Sequence, residues 1–464
     1  MAELRDVGVP ARPLDRLSRL IGAARVDELM RVAAQTRSGL DGARIWNISS
    51  TSIGGGVAEM LRDIVGYSIG SGIDVRWTVI EGDQRFFGIT KRLHNRLHGT
   101  LGDGGALGHS EADHYRSLLQ ENALSLLHRI GEGDVVILHD PQTLGLAGPL
   151  AERGAHVVWR CHIGTERTNG YTEEAWRFLE PFLAPCRAYV FSHRGFVPPV
   201  LQATDVFIIA PSIDPCSAKN RPLNEARIQR LLVKVGLFDD HGDGATAGSV
   251  LGGAGPVRRD DRLVVQVSRW DRLKDMQGVL EGFVAMADGQ AGLRLALVGP
   301  EVKSVSDDPE DAGVLDDCLA HWENLPHKLR SAIRIVGLPM NDVEVNALMV
   351  NAIQRQATVV VQKSLEEGFG LTVAEAMWKG RPVVASAVGG IVDQVAPGTG
   401  ILLRDPCDLD TFGRVLADLL ANPEQMTDMG RRARAHIRSN FLSDRHLFDF
   451  ARLISAVTRP SQRA

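Results

Sequence analysis

Two glycines and two glutamates share one short segment, Gln362–Lys379, whose pattern predicts the end of a strand, a tight turn and a helix. Gly368 and Gly370 allow the backbone to approach a ligand closely. The helix beginning near Leu371 offers free amides and a positive dipole end, which suit a phosphate. Glu375 falls among apolar residues, where a carboxylate is costly unless a partner such as a ligand hydroxyl bonds it. The alternative is that Glu375 points to solvent.

Two cations follow an earlier predicted strand, Leu263–Val267. Arg269 and Lys274 are five residues apart in this loop. Loops after parallel strands emerge at one edge of a sheet, so these cations are expected to face the Gly368–Leu371 turn. Arg supplies a planar fork and Lys a point charge for a diphosphate. The alternative is a solvated loop. No Asp-x-Asp metal signal stands at a plausible strand end, because Asp307–Asp308 lies in a Pro- and Asp-rich loop, so no metal site is predicted.

A second glycine turn occurs in the first half of the chain. The predicted strand Ala43–Ser49 leads into Ser52–Gly56 and then into a predicted helix, Val57–Ile69. Such a turn can serve packing alone. Further predicted strands end at polar residues, and ligands bind beyond the carboxyl ends of parallel strands. The polar residues at these ends are Asp140, Gln142, Arg160 and His162. The alternative for a histidine at a strand end is a structural role.

Composition indicates an ordinary globular chain. Its 464 residues exceed what one core usually organises and predict two to four domains. With 44% hydrophobic and 23% charged residues, disorder is disfavoured, and the net charge of -5 gives no general attraction for nucleic acid or anionic membranes. The five cysteines form no Cys-x-x-Cys pair, which predicts free thiols. A leader and a membrane span are not predicted, so a cytoplasmic location is expected.

Strands alternate with helices along most of the chain, which predicts parallel sheets covered on both faces. We expect two successive α/β domains joined by Pro211–Pro215, whose prolines stiffen an extended linker. Residues 1–40 are weakly helical and are interpreted as an N-terminal extension. The glycine-rich segment 236–255 is interpreted as a mobile loop or insertion without chemistry.

The combined motifs resemble the signature of retaining nucleotide-sugar glycosyltransferases of the GT-B type, family GT4. That signature consists of Arg269 with Lys274, the turn Glu367–Gly370, and the glutamates Glu367 and Glu375 eight residues apart. Five further segments resemble the glycosyltransferring trehalose synthases. These are Ser50–Glu59, His139–Gln142, Trp159–His162, Pro211–Pro215 and Glu375–Gly380. The similarity spans about residues 43–445, and neither the extension nor the glycine-rich segment touches a motif.

The resemblance implies an α/β fold with two Rossmann-like domains facing across a cleft, the GT-B architecture. An acceptor domain is expected over 41–212 plus 446–464, because the last helix of such folds crosses back onto the first domain. A donor domain is expected over 213–445. Closure of the domains would exclude water from the reaction.

The resemblance also implies residue roles. The expected catalytic residues are Arg269, Lys274, Glu367 and His162, with the two cations on the donor diphosphate and His162 reaching toward the transferred sugar. The expected donor contacts are Gly337, Leu338, Gly368, Phe369, Gly370, Leu371, Thr372 and Glu375, with Glu375 on the ribose and residues near Gly337 beside the base. The expected acceptor contacts are Gly55, Gly56, Asp140, Gln142 and Arg160.

The implied reaction is transfer of glucose from a nucleoside diphosphate glucose, such as UDP-glucose or ADP-glucose, to glucose with retention, giving trehalose; its reversal is left open. This hexosyltransferase would need neither a metal nor a cofactor. The alternatives are a retaining trehalose phosphorylase, a GT4 transferase with another acceptor, and a non-enzymatic nucleotide-binding regulator. The expected partners are small sugars and nucleotide sugars, without nucleic acid, and a homodimer is one option for assembly. A Rossmann dehydrogenase is disfavoured because Gly54–Gly56 does not form Gly-x-Gly-x-x-Gly.

Overall fold

The computed structural model describes residues 3–53, 55–201, 205–238, 248–253, 257–287, 290–301 and 309–459, without the side chains of 309–311. The chain divides into two compact units. Unit 1 holds the chain up to Ser212 and again from Leu442, and unit 2 spans Ile213–Phe441. The division falls within the predicted linker, and the return to unit 1 begins at Leu442, four residues before the predicted position.

Unit 1 is built on a seven-stranded sheet with the order β1-β3-β2-β4-β5-β6-β7. Its strands are β1 (Arg5–Asp6), β2 (Ile45–Ser49), β3 (Val75–Val79), β4 (Val135–His139), β5 (His156–Cys161), β6 (Ala188–Phe191) and β7 (Val206–Ile208). β1 is antiparallel to β3, whereas the other pairs are parallel. The strand order reverses between β2 and β4, and such a reversal opens a crevice at the carboxyl ends of the strands.

Helices cover both faces of this sheet. They are α1 (Ser18–Ile21), α2 (Ala23–Leu40), α3 (Gly55–Gly70), α4 (Gln84–Leu97), α5 (His109–Leu127), α6 (Ala147–Glu152), α7 (Gly170–Leu179) and the returning α17 (Ser443–Thr458). The predicted N-terminal extension supplies β1, α1 and α2. Leu14, Leu17 and Leu29 are buried there, and α2 packs against α17. Residues 3–40 therefore contribute to the unit 1 core and do not form a separate extension.

Unit 2 repeats this plan with the strand order β14-β13-β12-β9-β10-β11-β8. Its strands are β8 (Ser249–Gly252), β9 (Arg262–Val267), β10 (Leu293–Pro300), β11 (Ile333–Leu338), β12 (Val359–Gln362), β13 (Val383–Ser386) and β14 (Ile401–Leu403). Only the edge strand β8 is antiparallel among these described strands. The order reverses between β9 and β12, so the loops that follow these two strands emerge next to each other.

The helices of unit 2 again lie on both faces of the sheet. They are α8 (Glu225–Val235), α9 (Met276–Ala287), α10 (Pro309–Glu323), α11 (His327–Arg330), α12 (Val343–Gln356), α13 (Leu371–Trp378), α14 (Ile391–Gln394), α15 (Leu409–Leu420) and α16 (Pro423–Asn440). The central strands are buried, and Val264, Leu295 and Val361 belong to one continuous core. The predicted α/β class with two doubly wound domains is confirmed.

One local prediction is wrong. The glycine-rich segment 236–255 was predicted to be a loop, yet Ser249–Gly252 forms the edge strand β8 against β11. An edge strand pairs on one side only, and the four residues of β8, two of them Ser249 and Gly252, are too few to carry a strand signal. Residues 239–247 and 254–255 of that segment lie outside the described residues. Over the described chain, no helix combines the length and apolar character needed to cross a membrane.

Candidate active site

The loops after β9 and β12 are held side by side in unit 2. The Leu365 amide donates to the Leu273 carbonyl at 2.8 Å. Gln266, which is fully buried near the end of β9, donates to the Lys274 carbonyl at 2.7 Å and accepts from the Lys363 amide at 3.0 Å. The buried Gln266 side chain thus holds both loops together, which sets the relative positions of Lys274 and Glu367.

Lys274 and Glu367 meet across these loops. The Lys274 ammonium donates to Glu367 Oε2 at 2.7 Å, and Ser364 Oγ donates to the same oxygen at 3.3 Å. The Lys274 and Glu367 side chains are 16% and 13% exposed. The fully buried Lys363 pairs with Asp275, the residue after Lys274. The structure therefore brings together a predicted cation and a predicted carboxylate in a mostly enclosed position, where an anion or a sugar hydroxyl can compete for them.

Arg269 lies in the same loop but outside this cluster. Its guanidinium donates to Asp271 Oδ2 at 2.7 Å, and its side chain is 53% exposed. Asp271 also accepts from the Leu273 amide at 2.8 Å. The structure thus pairs Arg269 with its own loop and not with Glu367. A diphosphate contact for Arg269 stays a prediction.

The Gly368–Thr372 turn leads directly into helix α13. Gly370 adopts φ 80°, and a Cβ there would lie 3.1 Å from Ile391 Cγ1. The Gly390 amide donates to the Gly368 carbonyl at 3.2 Å, and Gln394 Nε2 donates to the Phe369 carbonyl. Leu371 and Thr372 begin the helix, with Thr372 Oγ1 donating to Gln362 Oε1 at 2.8 Å. The turn is braced. The Val373 amide donates to the Gly370 carbonyl at 3.0 Å, whereas helix geometry leaves the Leu371 and Thr372 amides without acceptors inside α13, as an anion site requires.

Glu375 lies inside unit 2. Its side chain is 1% exposed, and its Oε1 is 3.5 Å from the Lys219 ammonium. The alternative that Glu375 points to solvent is therefore wrong. Its predicted contact with the ribose hydroxyls stays a prediction.

Gly337 and Leu338 are the last two residues of β11, and both are buried. β11 is separated from β9 by β10 alone. The carboxyl end of β11 thus lies at the same sheet edge as the Lys274 loop. A Cβ at Gly337 would lie 3.1 Å from Glu301 Cγ, so a larger residue there would press against the Glu301 side chain. The predicted contact of Gly337 and Leu338 with the nucleotide base stays a prediction.

The predicted acceptor residues of unit 1 follow the adjacent strands β2, β4 and β5. Gly55, with φ 73°, and Gly56 open α3. Asp140 has φ 62° and accepts from the His162 amide at 2.7 Å. Burial raises the pKa of Asp140 to about 7. Gln142 Oε1 is buried with no hydrogen-bond partner among the described residues. Backbone geometry therefore places these polar groups at the strand-order reversal of unit 1.

Arg160 contacts the returning helix α17. Its guanidinium is buried, donates to His446 Nε2 at 3.0 Å and to the Ile209 carbonyl at 3.3 Å, and lies over the Phe450 ring at 5.2 Å. Strand alternation turns this side chain beneath α17 instead of toward the end of β5. These contacts hold Arg160 against the returning helix, and its predicted contact with the acceptor stays a prediction.

Sequence reasoning missed several buried polar residues near these loops. They are Gln266 and Lys363 in unit 2 and Asn47, His139 and His446 in unit 1. The available signal was a polar residue inside an apolar strand run, as Gln266 is within Leu263–Val267. Buried polar groups are nearly always hydrogen-bonded, so each such residue indicates a specific partner elsewhere in the fold.

Three buried histidines make unit 1 sensitive to acid. Burial, with Arg160 nearby, holds the pKa values of His139, His162 and His446 well below 6.5. In the unfolded chain these histidines bind protons as the pH falls through about 6.5. Asp140 behaves in the opposite way, because its pKa is about 7 in the folded protein and lower in the unfolded chain. Below about pH 6.5 the unfolded state therefore binds roughly two more protons than the folded state.

We expect the free energy of unfolding of unit 1 to decrease from about pH 6.5 downward until the histidines titrate in the folded state. Removing one of them by His446→Gln should make the decrease between pH 7.5 and 5.5 smaller by about 1.4 kcal/mol in total. Hydrogen exchange of the β4 and β5 amides, measured at about pH 7.5 and 5.5, gives both slopes. Equal slopes for the two proteins would contradict this assignment of neutral His446.

Among the described residues, no group of three or more His, Cys, Asp or Glu side chains is arranged to hold a metal ion. The charged groups that the structure gathers in unit 2 are instead the Lys274–Glu367 and Lys363–Asp275 pairs.

Comparison with known proteins defines the class. The family model "Trehalose synthase, N-terminal domain" matches residues 47–198, and "Glycosyl transferases group 1" matches residues 254–436. A solved structure of an alpha,alpha-trehalose-phosphate synthase (UDP-forming) from Burkholderia xenovorans is similar with a TM-score of 0.69 at 14% identity, covering 89% of this chain and 100% of that one. The protein is a glycosyltransferase with the GT-B fold.

Two relatives define the family. The chain is 35% identical to the trehalose synthase of Rubrobacter xylanophilus, covering 92% of this chain and 93% of that protein. It is 33% identical to the trehalose synthase of Pyrococcus horikoshii, covering 98% and 99%. The chain therefore belongs to the trehalose synthase family of the group 1 glycosyl transferases, family GT4.

Proposed function

We propose that the protein transfers glucose from a nucleoside diphosphate glucose to glucose, with retention, to form α,α-1,1-linked trehalose, and that it also catalyses the reverse reaction. The observation that carries the proposal is the Lys274–Glu367 pair at 2.7 Å, beside the start of α13. A cation and helix amides suit a diphosphate, and a carboxylate suits sugar hydroxyls. The trehalose synthase relatives support trehalose as the product.

In the proposed reaction, the bond between the anomeric carbon and the diphosphate oxygen breaks, and a bond from that carbon to the acceptor hydroxyl oxygen forms on the same face. The leaving diphosphate accepts the hydroxyl proton. Lys274 and Arg269 stabilise the negative charge that develops on it, because a preorganised cation is most effective when water is excluded. Glu367 binds sugar hydroxyls in this scheme and does not act as a nucleophile.

The deciding experiment is product analysis. The purified protein is incubated with free glucose together with one donor at a time, which is UDP-glucose, ADP-glucose, another nucleotide glucose or glucose 1-phosphate. The reactions with nucleotide glucoses are run with and without phosphate. We expect a non-reducing disaccharide with both anomeric carbons in the α configuration, formed without phosphate. Formation only from glucose 1-phosphate would identify a phosphorylase, and nucleotide release only with another acceptor would identify a different GT4 transferase. Binding without turnover of any donor would indicate a regulator.

We propose that the transfer needs no metal, since Lys274 and Arg269 supply the positive charge that a divalent ion would otherwise give to the diphosphate. We expect protein that has been dialysed against chelator and assayed in EDTA to have the same turnover as untreated protein. The measurement is the initial rate of nucleoside diphosphate release, with and without added Mg²⁺. A large loss on chelation that Mg²⁺ restores would overturn this proposal.

A further inference from the structure

Three buried polar side chains form a line across adjacent strands of unit 1. Asn47 lies on β2, His139 ends β4, and His162 directly follows β5. Their exposed fractions are 3%, 1% and 6%. Asn47 Oδ1 is 3.1 Å from His139 Nε2, and His139 Nδ1 is 3.1 Å from His162 Nε2. The parallel pairing of β4 with both β2 and β5 holds the three groups in this order.

The line determines where each proton lies. An amide oxygen only accepts hydrogen bonds, so His139 Nε2 carries a proton. His139 is neutral because burial holds its pKa well below 6.5. Its Nδ1 is therefore an acceptor, and His162 Nε2 must donate to it. His162 Nδ1 then carries a lone pair. This atom is buried and has no hydrogen-bond partner among the described residues.

We propose that Asn47 and His139 are positioning residues that hold His162 in the Nε2–H tautomer, so that its Nδ1 accepts a hydrogen bond from a sugar hydroxyl. The identity of that ligand rests on the proposed function, whereas the tautomer does not. Reversing the Asn47 amide would reverse every proton along the line and present N–H at His162 Nδ1. Asn47 thus controls a group two side chains away that it does not touch.

The test measures the tautomer directly. Protein labelled with ¹⁵N-histidine is studied by long-range ¹H–¹⁵N NMR without ligand, and His162→Gln identifies the His162 signals. We expect a protonated Nε2 and an unprotonated Nδ1 in the natural protein. Asn47→Leu removes the acceptor, so both tautomers should become populated at His162. Because only one is competent, kcat/KM for trehalose formation should fall about two- to tenfold.

Two further variants separate positioning from stability. His139→Gln keeps an amide oxygen able to accept from His162 Nε2, and we expect it to retain the single tautomer. Asn122→Leu removes another buried asparagine of unit 1, which bonds Glu81 and Leu118, and should leave the His162 signals unchanged. Addition of glucose or of a nucleotide glucose should shift the Nδ1 signal.

Other results would contradict one part of the proposal or the proposed function. A natural protein that carries the His162 proton on Nδ1, or an Asn47→Leu variant with an unchanged tautomer, overturns the proposal. An unchanged Nδ1 signal at saturating concentrations of both sugars removes the ligand contact. If the natural protein has the expected tautomer but forms no trehalose from any donor, the proposed function fails and the positioning by Asn47 and His139 stands.

Discussion

Replacing Lys274 by alanine is expected to lower the turnover of glucosyl transfer by roughly 10²–10³-fold. The Lys274 side chain is 16% exposed, so its ammonium acts where water screens it little. The loop itself should persist, because the Gln266 side chain and the Leu365 amide donate to its backbone carbonyls and do not contact the lysine side chain. The measurements are kcat for trehalose formation and the thermal unfolding midpoint.

A matched control lies in the same loop, two residues before Lys274. Arg272→Ala removes an exposed cation next to the cluster without removing the Lys274–Glu367 contact. We expect turnover within about twofold of the natural protein, since exposed charges contribute little. Near-normal turnover of Lys274→Ala, or an equal loss in both variants, would show that the ammonium is not used as proposed.

The second large effect is expected at Glu375. If its carboxylate binds ribose hydroxyls, Glu375→Ala should raise the KM for the nucleoside diphosphate glucose by about 10- to 100-fold, the range for losing hydrogen bonds to a charged group. The kcat at saturating donor and the KM for glucose should change much less, because ribose binding is equal in the ground and transition states.

Loss of the neighbouring ion pair could mimic this effect, so Lys219→Met is the comparison. It removes the cation 3.5 Å from Glu375 and keeps the carboxylate. We expect a smaller increase in KM for Lys219→Met and an intermediate increase for Glu375→Gln, which keeps the shape and loses the charge. Nucleoside diphosphate affinity by calorimetry gives an independent reading. An unchanged affinity in Glu375→Ala would rule out the ribose contact.

Sequence patterns predicted the parts of the site that depend on local structure. The β-branched run before Gln362, the glycines at 368 and 370 and the helix-forming residues after them specify strand, turn and helix without knowledge of the rest of the chain. The placement of the Arg269–Lys274 loop beside the Gly368–Leu371 turn was predicted because loops that follow parallel strands emerge at the same edge of the sheet. Resemblance to a family then supplied roles that spacing alone left open.

The missed features depend on contacts between distant residues. Gln266 within an apolar strand gives no indication that Lys363, 97 residues later, is its partner. The last helix was expected to return to the first domain, but the sequence does not reveal that its His446 and Phe450 meet the Arg160 side chain. The edge strands β1 and β8 are short and partly polar, so they carry too little periodicity to be recognised.

Because α17 belongs to unit 1 but follows unit 2 in the chain, unit 1 cannot complete its fold until unit 2 has been synthesised. Leu453 and Ile454 of α17 complete a core that also contains Leu40 and Val135, and Asp444 pairs with Arg25. Unit 1 therefore lacks this covering helix until all of unit 2 has left the ribosome. At roughly 5–20 residues per second, the intervening 213–441 takes about 10–50 s. During this interval the apolar surface that α17 later covers is exposed to solvent on the nascent chain. A chaperone that shields this surface would therefore bind before unit 2 is complete.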